Sequence, residues 1–181
     1  MILESLPLTP DHDIPGPLLT ELTALHVSNR EFNALSGDFP DPDDIRPEQV
    51  AEALAEEAAQ PGGELLLARG GGRLVGFALT LAHHPDPADP DPWIGLLLVD
   101  AHEHGKGYGR ALATGVEERF RSAGRTGLRL AALDNNPKGL AFWTALGYEV
   151  IDHREDLRLG RPCAVLRKAL GSPGSGGAGT P

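Results

Sequence analysis

The sequence predicts a mixed α/β fold, in which one central sheet of about seven strands carries about four helices on its faces. Three observations support this prediction. Short apolar runs of strand length alternate with amphipathic stretches of helical period. Glycine and proline clusters separate nearly every pair of them. Two pairs of runs, one around "GGG" at 70–72 and one around Gly160, read as hairpins.

The elements follow in order. "ILESLPL", residues 2–8, alternates as a first strand, and Pro15 and Pro17 open a helix whose Leu18, Leu22 and Leu25 share a face. A polar, proline-rich loop, "SGDFPDPDDIRP", leads to a second helix opened by Pro47, with Val50, Leu54 and Ala58 on one side, stopped by Pro61-Gly62-Gly63. Strands at 64–69 and 73–82 form the first hairpin. "PDPADPDP", residues 85–92, excludes helix and ladder alike and reads as a stiff loop. Trp93–Val99 is a continuous apolar strand in which Gly95 marks a bulge or a close approach. Leu112, Val116 and Phe120 then define a helix from Tyr108 to about Ala123, closed by Gly124. "TGLRLAALD" is a strand, residues 138–146 a short helix ended by Gly147, and "YEVIDHREDLRL" with "PCAVLRKAL" the last hairpin. The tail 171–181, rich in glycine and serine, has almost nothing to bury and reads as flexible.

The length of 181 residues suits one domain, taken as residues 1–170. No apolar run approaches the roughly 20 residues that cross a bilayer, and Met1 is not followed by a signal sequence, so a cytoplasmic protein without a membrane partner is expected. The single cysteine, Cys163, cannot form an internal disulfide. A net charge of -10 argues against nucleic acid as a partner and mildly favours a cationic ligand. An exposed strand edge would leave a homodimer open.

The most informative stretch is "HEHGKGYGRAL", residues 102–112. Glycines that lead from a strand into a helix start let an anion reach unpaired main-chain N–H groups and the positive end of the helix dipole. Gly105, Gly107 and Gly109 fit that need, but the spacing fits neither of two familiar phosphate loops. A P-loop needs a hydroxyl after its lysine, and Lys106 is followed by Gly107. In a dinucleotide fingerprint the third glycine falls one residue later than Gly109 does here.

These residues resemble the GNAT superfamily of acetyl-CoA-dependent N-acetyltransferases. Its loop, Arg/Gln-x-x-Gly-x-Gly/Ala, matches His104-Gly105-Lys106-Gly107-Tyr108-Gly109 followed by Arg110, with His104 departing from Arg or Gln. A second motif agrees: "NNPKGLAFWTALGY" aligns Asn136, Phe142, Trp143, Gly147 and Tyr148 with the family's later signature. The resemblance implies a mostly antiparallel sheet and direct transfer of acetyl from acetyl-CoA, as co-substrate, to an amine, either a small molecule or a protein amino group. It puts Leu97, Leu98 and Val99 along the pantetheine arm, the loop on the pyrophosphate, and Asn136 and Trp143 beside the arm or the departing sulfur.

The acid–base groups are less evident. Trp143 stands where many members carry an acidic tyrosine, and indole N–H is no proton donor of useful strength. Tyr148 reads as a core residue. "WIGLLLV" has no carboxylate to activate the amine, which leaves His83, His84, Asp91 and Glu31, with His84 preferred for its ordinary pKa. Cys163 lacks a partner base and is not expected to be a nucleophile. "HEH" at 102–104 and "DHD" at 11–13 lack a third ligand at a recognisable spacing, so no metal is expected. A catalytically silent acyl-CoA-binding module, or an α/β enzyme using a nucleotide, are the alternatives. Selectivity for the acceptor is expected in the loops 37–47 and 85–92.

Overall fold

The computed structural model describes residues 1–7, 14–58, 60 and 62–171. A seven-stranded sheet runs in the order β1-β2-β3-β4-β5-β7-β6. Its strands are β1 Ile2–Pro7, β2 Gly63–Gly70, β3 Arg73–Leu81, β4 Trp93–Val99, β5 Gly127–Leu133, β6 Glu149–Glu155 and β7 Pro162–Ala169. Every neighbouring pair is antiparallel except β4–β5, which is parallel and held only at Trp93↔Arg129 and Ile94↔Leu130. Beyond Ile94 the two strands part, and this gap in the sheet is the feature that organises the site.

Among the described residues five α-helices cover the sheet: α1 Gly16–Ser28, α2 Arg30–Ser36, α3 Pro47–Ala58, α4 Tyr108–Ser122 and α5 Pro137–Ala145. Each face has its own apolar core. On one, Leu112, Val116 and Phe120 of α4 and Trp143 of α5 pack on Leu66, Ala78, Ile94, Leu128, Leu130 and Leu166. On the other, Leu22 and Leu25 of α1 and Val50 and Leu54 of α3 pack on Leu65, Leu67, Phe77, Leu79 and Leu98. The alternating strand residues thus serve two cores, as period-2 geometry requires.

The hairpins, the Pro47 helix start and the strand Trp93–Val99 stand where the sequence reading puts them. Gly95 is the extra residue of a bulge: Leu79 pairs with Leu96 and Thr80 with Ile94, so Gly95 has no partner on β3. The first helix ends at Asn29 (φ -99°, ψ 44°), where the helical stretch of the sequence also ends, but a separate short helix that the sequence reading did not assign, α2, follows, closed by Gly37 in the left-handed region at φ 67°. The break is stabilised by tertiary contacts, since the buried Asn29 Nδ2 donates to Leu25 O at 2.8 Å and to Val99 O at 2.9 Å. "DHD" at 11–13 and the tail from 172 onward lie outside the described residues. No helix among the described residues is long and apolar enough to cross a membrane.

Candidate active site

A cavity of about 1040 Å3 occupies the gap between β4 and β5 and is lined by residues from both faces of the sheet. Its walls include Gly95 to Val99 of β4, Leu130 to Leu133 of β5, the loop before α4, and side chains of α1, α2, α3, β3 and β6. Because β5 does not pair with β4 past Ile94, the main chain of Leu96, Leu97, Leu98 and Val99 presents an unpaired strand edge to the cavity. Such an edge can take an extended, amide-bearing ligand as a further strand would be taken.

The glycine loop stands at one end. After Val99, Asp100 accepts a hydrogen bond from His102 N–H at 3.0 Å and caps a single 3-10 turn, Ala101–Glu103. Gly105 (φ 77°) and Gly107 (φ 87°) then carry the chain through the left-handed region into α4, a path that side chains with a Cβ take only under strain. Gly109 serves differently: a Cβ there would sit 3.3 Å from the Phe142 ring, so its absence lets α5 approach α4. As the first residues of α4, Tyr108, Gly109 and Arg110 have N–H groups with no carbonyl a turn earlier to accept them. Lys106 Nζ is held by Glu103 at 2.8 Å, while Arg110 is exposed at the cavity wall and Tyr108 packs half-buried against the core.

His104, the departure from the family pattern, anchors the loop. Its Nε2 donates to Val99 O at 3.0 Å, the same carbonyl that accepts from Asn29, while Ser28 Oγ accepts from Ala101 N–H at 3.1 Å. The α1–α2 junction and the imidazole therefore hold the end of β4 together. Sequence reasoning missed Ser28 and Asn29, which look like an ordinary helix end until the fold brings them to β4. His102 turns instead to Asp100, at 2.8 Å, so the "HEH" imidazoles diverge. Among the described residues no cluster of three metal-ligating side chains forms.

The second motif meets the first across the gap. Asn136 lines the cavity and caps α5, its Oδ1 accepting from Gly139 N–H at 3.0 Å. Trp143 is buried, lines the cavity, and packs edge-on against Phe142 and Tyr148 at centroid distances of 4.9 and 5.2 Å. Tyr148 is buried outside the cavity wall, and burial together with the Glu117 carboxylate pushes its phenol well above the ordinary range. It stays protonated in the core, as its position in the sequence suggested.

The proposed bases fare unevenly. His83 is exposed and does not line the cavity. Asp91 is buried outside the cavity wall, and although burial raises its carboxyl, hydrogen bonds from Arg167 and Arg129 outweigh it and hold it low. Glu31 stands at the mouth and is bound by Lys138 Nζ at 2.8 Å, which lowers it. His84 does line the cavity, stacked on Trp93 at 4.5 Å. Its Nδ1, however, accepts the Asp86 N–H at 3.1 Å, which leaves the hydrogen on Nε2. Asp89 Oδ2, which also accepts from Arg154 Nη2, lies 3.2 Å from the same nitrogen. The imidazole is kept neutral, since desolvation lowers its pKa more than nearby Asp89 raises it. His84 thus stands in the cavity wall with its Nδ1 engaged within the loop and its Nε2 left for other partners.

The rest of the cavity wall comes from segments far apart in sequence. Phe32 and Leu35 of α2, Phe39, Val50 and Leu54, with Leu79 and Leu81 of β3, supply its apolar part. Arg161 joins Asp38 at 2.9 Å and Asp156 at 2.7 Å, and Arg158 also reaches Asp38. Burial raises the Asp156 carboxyl, but the Arg161 guanidinium and backbone N–H groups of Leu159 and Arg161 more than reverse this. Of the two proline-rich loops, 37–47 lines the cavity with Asp38 and Phe39, whereas no residue of 85–92 does, that loop reaching it only through the bond of Asp89 to Arg154. Cys163 is buried in the wall, and burial pushes its thiol up, away from thiolate.

No curated protein sequence matches the chain. Its fold is similar to that of an acetyltransferase from Thermus thermophilus, at 24% identity over 94% of this chain and 98% of that one, with a TM-score of 0.68. It is also similar to the ribosomal-protein-S18-alanine N-acetyltransferase from Escherichia coli, at 14% identity over 97% and 98% of the two chains, with a TM-score of 0.62. An aminoglycoside 6'-N-acetyltransferase solved with coenzyme A matches at 16% identity over 96% and 99%, with a TM-score of 0.64. The acetyltransferase (GNAT) family model matches residues 29–148, the span that runs from the Asn29 anchor through the parted strands and the glycine loop to the α5 motif, and the chain belongs to the GNAT family of acetyltransferases.

Proposed function

We propose that the chain, working as a single catalytic unit over residues 1–170, transfers the acetyl group of acetyl-CoA directly to an amine bound in the same cavity. The observation that carries this is the cavity itself, which joins an unpaired β4 edge and a glycine-opened helix start to an acceptor wall on the other face. Main-chain N–H groups of Gly105, Gly107, Tyr108, Gly109 and Arg110 suit a pyrophosphate, with His104 and Lys106 shaping the loop. The edge at Leu97, Leu98 and Val99 suits the amide-rich pantetheine arm, and Asn136 and Trp143 flank its far end.

The amine nitrogen attacks the thioester carbonyl, the C–N bond forms, the C–S bond breaks, and the proton lost by nitrogen reaches the departing sulfur through water. A thiol with a pKa of about 8.5 leaves without a strong acid, which suits a site whose aligned position is Trp143. Cys163 takes no part, and no acyl-enzyme forms. The buried position of Tyr148 favours a second reading, a silent acyl-CoA-binding module. A cytoplasmic location fits the one unpaired cysteine.

Calorimetry with acetyl-CoA tests the donor site, with saturable binding below millimolar ligand expected. Its absence, or displacement by ATP or NAD, overturns the proposal. Release of free thiol with a panel of amines separates the transferase from the silent module, which would bind acetyl-CoA and turn over none of them.

A further inference from the structure

We propose that the acceptor amine carries a carboxylate, which docks on Arg154 at the Trp93 end of the cavity. The acceptor is then of amino-acid type rather than a polyamine or an aminoglycoside. This rests on the acetyl transfer proposed above.

The argument starts from charge. Asp89 accepts from Arg129 at 2.5 Å and from Arg154 at 2.9 Å, and Asp91 accepts from Arg129 at 3.0 Å and Arg167 at 2.8 Å. Among the described residues, three guanidinium groups thus share two carboxylates, and His84 beside them is neutral. Of the three, Arg154 is the one that lines the cavity. Farther along the wall Arg158 and Arg161 are matched by Asp38 and Asp156, whereas Arg110 at the glycine loop and Glu56 on α3 make no ion pair among the described residues. At the mouth, Glu31 faces Lys138. At the Trp93 end, Arg154 is the cavity-lining cation, and its one carboxylate partner, Asp89, is shared with Arg129.

Hydrogen-bond donors are in surplus at the same place. Arg154 spends its Nη2 on Asp89, and its guanidinium lies 5.3 Å above the Trp93 ring. Trp93 is only 5% exposed, and its buried Nε1–H has no acceptor among the described residues. His84, stacked on the same ring, keeps its hydrogen on Nε2 because Asp86 N–H occupies Nδ1. A group that brings only acceptors and a negative charge completes this corner, and a planar carboxylate matches the fork of a guanidinium. A second ammonium would meet a cation and donors. The net charge of -10 suggests the opposite preference, but it is spread over the surface and screened within about 8 Å at physiological salt, whereas Arg154 contacts the ligand directly.

Matched acceptors test this: an α-amino acid, its carboxamide and the corresponding decarboxylated amine, measured by thiol release. The amino acid is expected to show kcat/KM about tenfold or more above the other two. In Arg154→Gln that preference disappears through KM for the amino acid, KM for acetyl-CoA stays unchanged, and Arg154→Lys restores part of it. Equal or better use of the carboxamide or a polyamine overturns the proposal, as does an equal loss for all acceptors in Arg154→Gln. Tryptophan emission, with Trp93→Phe as the control, reads docking without turnover. A response to the amino acid that is lost in Arg154→Gln supports the site even if no thiol is released, and that combination overturns the transferase reading alone. No response in the unsubstituted protein overturns the docking site even if transfer stands.

Discussion

The two ends of the cavity are made of different material. Toward α4 the wall is main chain: an unpaired strand edge, two glycines at positive φ, and the first turn of a helix. Toward Trp93 it is side chain, drawn from α2, α3, β3, β6 and the loops beside them. A main-chain surface binds whatever has the shape and charge of a phosphorylated, amide-bearing ligand, and tolerates exchange of neighbouring side chains. A side-chain surface can be rebuilt residue by residue, so acceptors can vary while the donor stays the same. Substitutions at the two ends should therefore separate donor binding from acceptor choice.

The largest effect is expected at the loop. Gly105 and Gly107 have open space where a Cβ would go, so alanine strains only the backbone there, by about 1–2 kcal/mol at each. Each Gly→Ala change should weaken acetyl-CoA about 5- to 30-fold by calorimetry while leaving relative acceptor preference intact. Full affinity in the double variant would remove the main-chain cradle.

A pH effect of comparable size belongs to the face of the sheet that carries α1 and α3. His26 on α1 is 6% exposed, lies against Phe39 and Phe77, and lines the cavity. Burial lowers its pKa from 6.5 to about 4, only partly opposed by Asn33 and Asp38. Between those values the unfolded chain binds the proton and the folded one does not, so stability falls as pH falls through this window. About 2 kcal/mol should be lost between about pH 7 and pH 5, seen as a lower unfolding midpoint that His26→Gln makes less steep. An unchanged slope in that variant would assign the acid sensitivity elsewhere.

Asn136 lines the cavity and caps α5. If capping of α5 is its structural contribution, Asn136→Ala should cost about 1 kcal/mol in urea unfolding and Asn136→Asp almost nothing. A loss of turnover in Asn136→Asp at full stability would show a role at the thioester as well. The smallest effect is expected for Lys138→Ala, which breaks the exposed pair with Glu31 that spans α2 and α5. Such pairs contribute little, so the unfolding midpoint should not move, and acetyl-CoA binding should match that of the unsubstituted protein. A marked change in either would give that bridge a part in closing the cavity.

How much of this was legible follows the same division. "WIGLLLVD" followed by three alternating glycines shows a strand, a loop and a helix start in local order, because each feature depends on residues a few positions apart. The Gly95 bulge was legible for the same reason. The surroundings of His84 were not. It has a suitable intrinsic pKa, but the engagement of its Nδ1 depends on the fold of loop 85–92, where Asp86 N–H donates to it. Nor was α2 legible as a separate element, since "REFNALSG" carries its own Gly37 stop but the break before it is held by Asn29 reaching Val99, 70 residues away.

Local sequence suffices for the sheet with its helices, the donor loop and the family, because period, turn chemistry and glycine placement are properties of neighbouring residues that any fold must respect. The side-chain wall of the cavity exists only once the chain is folded. Trp93, Arg154, Asp89 and Asp38 come together because strands that are distant along the chain become neighbours in the sheet and the loops fold over them. The charge at such a corner depends on which partners share it, and composition does not reveal that.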